Sequence, residues 1–314
     1  MKKFLLGFLF FLIPLLLFSI LGDFIITKQL LKSKDKYYVV WNDLVFGRIN
    51  SEILIYGTSR ARAHINSKTL EDSLESTVYN LGIDGYTFNM EYCRHQLILN
   101  SNLLPKYIIQ TLDYHTLGKK HELYQYEQFY PYFHNKIISN TTKNYKGFSW
   151  FDYNLPLVRY YGSTKQIISA ANILIRPSHN KGNRYKGFYN INSKWTYEFD
   201  EIKKEKKSLY QKLDKETIIL FNNYLADLKK RNINIIFVYT PEYIEGQKFI
   251  SNRAEIINIY KYFSKKYNIP FLDYSSDPIC LQRTYFYNAE HLNLLGSNLF
   301  SKKLASDLKF YIHQ

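Results

Sequence analysis

Ile53-Leu54-Ile55-Tyr56-Gly57-Thr58-Ser59-Arg60 is an apolar, strand-like run that stops at a glycine and a serine. Glycine permits a tight turn there, and the amides that follow can face a developing oxyanion. In open α/β sheets ligands bind beyond the carboxyl ends of strands, so Ser59 stands where a reactive group is useful. A serine hydroxyl is a poor nucleophile until a base takes its proton. The competing local reading is a helix N-cap, since serine at a helix start often only caps it. A phosphate loop is excluded, because the Walker spacing and its lysine are absent.

From Ser51 onward, short apolar runs alternate with longer amphipathic ones. The pattern predicts an α/β domain with a parallel sheet and helices on both faces. Strands are expected at 53–56, 77–81, 107–112, 233–239 and 270–272. Helices are expected at 67–74, 88–99, 215–231, 254–267 and 295–311. Within the third of these, Ile218, Phe221, Leu225 and Leu228 recur at the spacing of one buried face. Pro105 and Pro241 fit strand boundaries. Residues 114–210 break the rhythm with Tyr130-Pro131-Tyr132-Phe133, Trp150-Phe151 and Tyr160-Tyr161. A structureless loop of that length is implausible, so this stretch reads as a partly helical insertion over the active face, supplying a lid or cleft.

The 314 residues suffice for one large domain or two small ones, and 46% hydrophobic content excludes a disordered chain. The 30 tyrosines and 22 phenylalanines supply much burial per residue, with core filling the plainer role and sugar-binding surfaces the other. Net charge is +15, but the lysines are dispersed and no nucleic-acid-binding signature occurs. The charge therefore reads as background composition, helped by attraction to anionic lipid or polymer. Cys93 and Cys280 are the only cysteines, which excludes a four-cysteine zinc site. They read as two unrelated buried thiols, with one disulfide as the alternative.

Phe4 to Ile26 is almost continuously apolar behind Met1-Lys2-Lys3, and no clear cleavage site follows. Residues 1–27 read as an uncleaved signal anchor and 28–50 as a juxtamembrane, helical stalk. Lys2 and Lys3 imply a cytoplasmic N-terminus with the remainder outside, although Lys28, Lys32, Lys34 and Lys36 pull the other way.

Two further blocks bear on chemistry. Asn80-Leu81-Gly82-Ile83-Asp84-Gly85 follows the second strand, where Gly82 can offer an amide or simply make a turn. Asn288-Ala289-Glu290-His291-Leu292-Asn293-Leu294-Leu295-Gly296 precedes the last helix, where His291 can serve as a general base. Together with Ser59 these blocks resemble the SGNH/GDSL hydrolase superfamily over roughly residues 51–312, most closely its membrane-anchored envelope proteins, some of which take part in O-acylation of polymers. The resemblance implies a flavodoxin-like sheet and no cofactor. It makes Ser59 the nucleophile, His291 the base, and the amides of Ser59 and Gly82 the oxyanion donors.

Two positions depart from that pattern. Asn288 stands where the family has its acid, and Asp113 lies where the third block usually places an oxyanion-binding Asn. Either His291 works in a dyad, or Glu290 or Asp113 replaces the acid, or the protein is weak or inactive. Arg60 and Arg62 beside the nucleophile read either as solvated surface or as a clamp for a substrate anion.

The function expected is an ester hydrolase or O-acyltransferase acting on acylated cell-envelope glycans, with neither metal nor cofactor. The main alternative is an inactive envelope protein of the same fold that binds a polymer or a partner membrane acyltransferase. A nucleotide-binding Rossmann-like protein is a third, opposed by the missing glycine fingerprint and by the anchor.

Overall fold

The computed structural model describes residues 2–190 and 192–312. Met1 of the expected anchor, Ile191, and His313 and Gln314 at the end of the expected domain lie outside the described residues. In chain order the helices are α1 (Lys2–Leu30), α2 (Val39–Val45), α3 (Ser59–His64), α4 (Ser67–Leu74), α5 (Phe88–Ser101), α6 (Lys136–Thr142), α7 (Trp150–Asn154), α8 (Thr164–Ile175), α9 (Glu198–Glu205), α10 (Lys215–Lys230), α11 (Ile244–Phe249), α12 (Arg253–Tyr267) and α13 (Leu294–Leu308). The strands are β1 (Ile53–Tyr56), β2 (Val78–Asn80), β3 (Tyr107–Leu112), β4 (Asn234–Tyr239) and β5 (Phe271–Asp273). The chain divides into two compact units, one of residues 46–120 with those from 184 on, the other of the N-terminal residues to 45 with 121–183.

In the first unit all five strands are parallel, in the order β2-β1-β3-β4-β5. This is the flavodoxin-like order expected from the sequence. Its direction reverses between β1 and β3, which opens a crevice at their carboxyl ends. The strands lie where the apolar runs predict, with no end shifted by more than one residue.

Alternation explains why these runs are strands. Ile53, Ile55, Ile109, Ile236 and Val238 pack in one core with Leu70 and Leu74 of α4 and with Phe300, Leu304 and Leu308 of α13. Side chains of opposite parity, Tyr56 and Phe237, meet Tyr224 and Phe221 of α10, and Phe88 of α5 closes on both helix residues. Each such side chain, fully buried, contributes about 1.5–3 kcal/mol. Many of the aromatics are therefore core residues. Cys93 and Cys280 are both buried and are not joined in a disulfide, as the plainer reading had them.

In the second unit α1 contains a stretch, Phe10–Leu30, long and apolar enough to cross a membrane. A signal sequence meets the same description. Beyond it, residues 31–45 pack as part of a core rather than standing off as the expected stalk. Trp41 is fully buried, stacks edge-on against Phe129 at 5.3 Å, and donates its indole N–H to Gln128 at 2.8 Å. Tyr132 donates to the Asn42 side chain at 2.7 Å. Of the irregular 114–210 stretch, 121–183 belong to this unit, and 114–120 with 184–210 belong to the sheet unit.

Candidate active site

Gly57 ends β1 with φ +143°, a conformation that L side chains rarely adopt, and a Cβ there would meet the Thr111 hydroxyl at 1.8 Å. The chain turns at once into α3. Thr58 is its N-cap and accepts from the Arg60 amide, so capping falls to Thr58 and leaves the Ser59 hydroxyl free for another partner. That partner is the Nε2 of His291, 2.7 Å from Ser59 Oγ across 232 residues of sequence. The fold thus brings together the two residues singled out from the two ends of the domain.

Asn288 decides which ring nitrogen of His291 carries the proton. Its Oδ1 accepts the backbone N–H groups of Glu290 (3.1 Å) and His291 (2.9 Å), and only an oxygen can accept from them. The same oxygen lies 3.0 Å from His291 Nδ1, which must therefore carry a hydrogen and donate. Nε2 is left with its lone pair toward Ser59. An asparagine in the acid position thus imposes the productive tautomer, because the backbone fixes which way its amide points. It adds no negative charge. Burial, partly offset by Glu290, pushes the His291 imidazole down to about 4, with Arg62 adding to the depression. Tyr287 lies flat against the imidazole, with ring centroids 5.3 Å apart and planes within 6°.

The other expected site residues fall elsewhere. Glu290 is no substitute acid on His291. Its carboxylate accepts the Tyr114 hydroxyl and lies 3.7 Å from His115 Nε2. Burial opposes its charge, yet His115, His291 and Tyr114 hold its carboxyl well below the usual range. Asp113 does not reach His291 either. It is buried and faces backward, accepting from Thr58 Oγ1, from the amides of His115 and Thr116, and from the Thr116 hydroxyl. It supports the cap of α3 and so the turn that carries Ser59.

Gly82 requires a correction as an oxyanion donor. Its N–H is given to Asn80 Oδ1 at 2.9 Å. Its missing side chain serves packing instead, because a Cβ would lie 2.3 Å from the Arg62 amide nitrogen. The Ser59 amide, at the first position of α3, has no preceding turn to bond and remains a candidate donor.

Arg60 and Arg62 are neither surface residues nor an open anion clamp. Arg60 is 2% exposed, pairs with Glu242 at 2.6 Å, and donates through Nε to Thr240 Oγ1 at 3.1 Å. Arg62 is 4% exposed, pairs with Asp84, and donates to the Tyr189 carbonyl. Both guanidiniums are consumed by internal partners, since a buried cation is tolerated only when paired.

Sequence reading missed His64. It is fully buried, and its Nε2 accepts the Leu292 amide at 3.0 Å. Its Nδ1 therefore donates to Thr240 Oγ1 at 2.9 Å, and burial lowers its pKa so that it stays neutral. His64 pins the backbone next to His291, and its ring meets the His291 ring edge-on at 6.0 Å. Only its place in the Ser-Arg-Ala-Arg-Ala-His run beside Ser59 marks it in the sequence. Among the described residues, no group of three or more His, Cys, Asp or Glu side chains is placed to hold a metal ion.

No family model matches the chain, and no curated protein matches it. Solved structures similar to it include an acetyl xylan esterase (11% identity, 83% of this chain and 98% of that chain, TM-score 0.41). Others are an SGNH-hydrolase family esterase (13%, 85% and 98%, TM-score 0.36) and a carbohydrate acetylesterase from Sinorhizobium meliloti (11%, 83% and 99%, TM-score 0.37). The sheet order, the serine after β1 and the histidine before the last helix are those expected from the sequence.

Proposed function

We propose that this protein is a serine ester hydrolase or O-acyltransferase working through Ser59 and His291, with Asn288 as the orienting residue. The observation that carries this reading is the 2.7 Å contact between Ser59 Oγ and an Nε2 whose lone pair Asn288 directs toward it. Ser59 Oγ attacks the acyl carbonyl as His291 Nε2 takes its proton. The Ser59 amide donates to the oxyanion. Collapse returns the proton to the departing alcohol and leaves an acyl-serine. Water or a sugar hydroxyl then gives its proton to Nε2, attacks the acyl-serine and frees Ser59. The substrate class implied by the resemblance to envelope proteins is an acylated glycan.

The base form of His291 is the working form. Because burial pushes its imidazole down to about 4, kcat/KM for a simple aryl ester should rise as pH climbs through about 4 and then stay level through neutrality. An exposed histidine would place that limb near 6.5. Asn288→Asp adds a carboxylate against Nδ1–H, so the limb should move up in pH and the plateau should rise by about tenfold. A wild-type limb at or above 6.5 contradicts the buried neutral base.

We also propose that α1 is retained as a membrane anchor, N-terminus cytoplasmic and the rest extracytoplasmic. Asp23 supports retention. It pairs with Arg159 and accepts the Leu157 amide at 2.9 Å, while Thr27 meets the Tyr160 hydroxyl at 2.8 Å. Removing α1 would take away the carboxylate and the hydroxyl that Arg159 bonds. The intact mass of protein extracted from membranes should include the whole of α1. A product shortened by that helix contradicts retention.

One observation favours a second reading, a binding protein without turnover. With Gly82 committed to Asn80 and no Asn after β3, the oxyanion site has few donors. Wild-type protein inert to fluorophosphonate and to esters would establish it.

A further inference from the structure

The lower half of α1 lies beside a cavity of about 590 Å³ whose walls mix apolar and cationic groups. Ile20 and Phe24 of α1 face it together with Leu155 and Pro156, and Lys28 and Arg159 also line it. A volume of this size suits a ligand-sized occupant. Two features indicate its chemistry.

First, the stretch able to cross a bilayer runs to Leu30, so Ile20, Phe24 and Lys28 of the cavity wall belong to its carboxyl-terminal end. Leu157 packs on Gly22, so the segment before it lies beside the same half of α1. That segment is unusually exposed for apolar residues, with Trp150 at 65%, Phe151 at 56% and Leu155 at 41%. Exposed tryptophan is a residue type favoured at the membrane–water boundary. The cavity therefore opens where lipid is the nearest apolar material.

Second, the charge left over is positive. Asp23 is neutralised by Arg159, which leaves Lys28 exposed on the cavity wall. Arg159 is 5% exposed, and its Nη2 serves Asp23 and Thr27, but its Nε has no hydrogen-bond partner. A buried donor without an acceptor costs about 1–3 kcal/mol, which a ligand oxygen would recover.

We propose that this cavity holds an anionic phospholipid, its acyl chain along Ile20, Phe24, Leu155 and Pro156 and its phosphate at Lys28 and Arg159. The site rests on α1 crossing a bilayer and is independent of the chemistry at Ser59. The full chain would be placed in nanodiscs of equal phosphatidylglycerol and phosphatidylcholine, extracted into mild detergent, and weighed by native mass spectrometry. Phosphatidylglycerol adducts should exceed phosphatidylcholine adducts about fivefold, the factor one cation contributes at an anionic surface. Lys28→Gln, at an exposed position, should abolish that preference, and Leu155→Trp should deplete both adducts by filling the cavity. Absence of adducts, equal adducts in wild type, or adducts unchanged in both variants overturns the proposal. Recovery of the protein in the membrane pellet separates such a failure from failure of the anchor.

Discussion

Ser59→Ala should lower ester turnover by about 10⁴- to 10⁶-fold while leaving the fold intact. Among the described residues Ser59 Oγ bonds only His291, and the cap of α3 belongs to Thr58, so removing the hydroxyl should leave the structure in place. His291→Ala should cost a comparable factor, and the double variant little more, because residues that act as a unit are not additive. Steady-state turnover and fluorophosphonate labelling read both effects, with thermal unfolding confirming the fold. Equal labelling of wild type and Ser59→Ala, where only the active-site serine should react, would remove Ser59 as nucleophile.

Glu242→Ala should be the most destabilising single change near the site, by about 3–5 kcal/mol. Glu242 is 2% exposed and faces Arg60 at 2.6 Å and Arg253 at 3.4 Å. Without it, Arg60 becomes a buried cation short of its counter-ion. Replacing Arg60 and Glu242 together by apolar residues should cost less than Glu242→Ala alone, since both charges leave at once. Denaturant unfolding of the full chain in detergent measures the difference. Equal costs for the single and double changes would mean that the pair is not coupled. The damage should also reach catalysis, because Arg60 Nε and His64 Nδ1 share Thr240 Oγ1, and His64 holds the Leu292 amide beside His291.

Much of this was legible in the sequence because strands and turns leave local marks. The run Ile53 to Arg60 carries its own strand, turn and helix start, and the 288–296 block carries its histidine beside a helix cap. Asn293 accepts the Gly296 amide at 3.0 Å, which is what the Leu-Asn-x-x-Gly pattern encodes. The arginines were not legible. α3 is only six residues long and buried at every position from Arg60 to His64, so it shows no polar face by which to orient it. The partners that settle Arg60 and His64 lie 180 and 176 residues away at Thr240. Gly82 misled for the opposite reason. Its turn is local, but the Asn80 side chain that takes its amide is not deducible from spacing.

The charge arrangement follows the same division. The orienting function sits at Asn288 and the negative charge at Glu290, two residues on and turned toward Tyr114 and His115.

Tyr287 lies parallel to His291 while Asn288 accepts from Nδ1, so an imidazole turned over would lose that hydrogen bond. One nitrogen must then serve as a single port for both proton uptake and proton delivery. The first alcohol has to vacate that port before the acceptor can use it. On the proposed mechanism the two half-reactions are then ordered by occupancy, departure before arrival, whether the acceptor is water or a sugar.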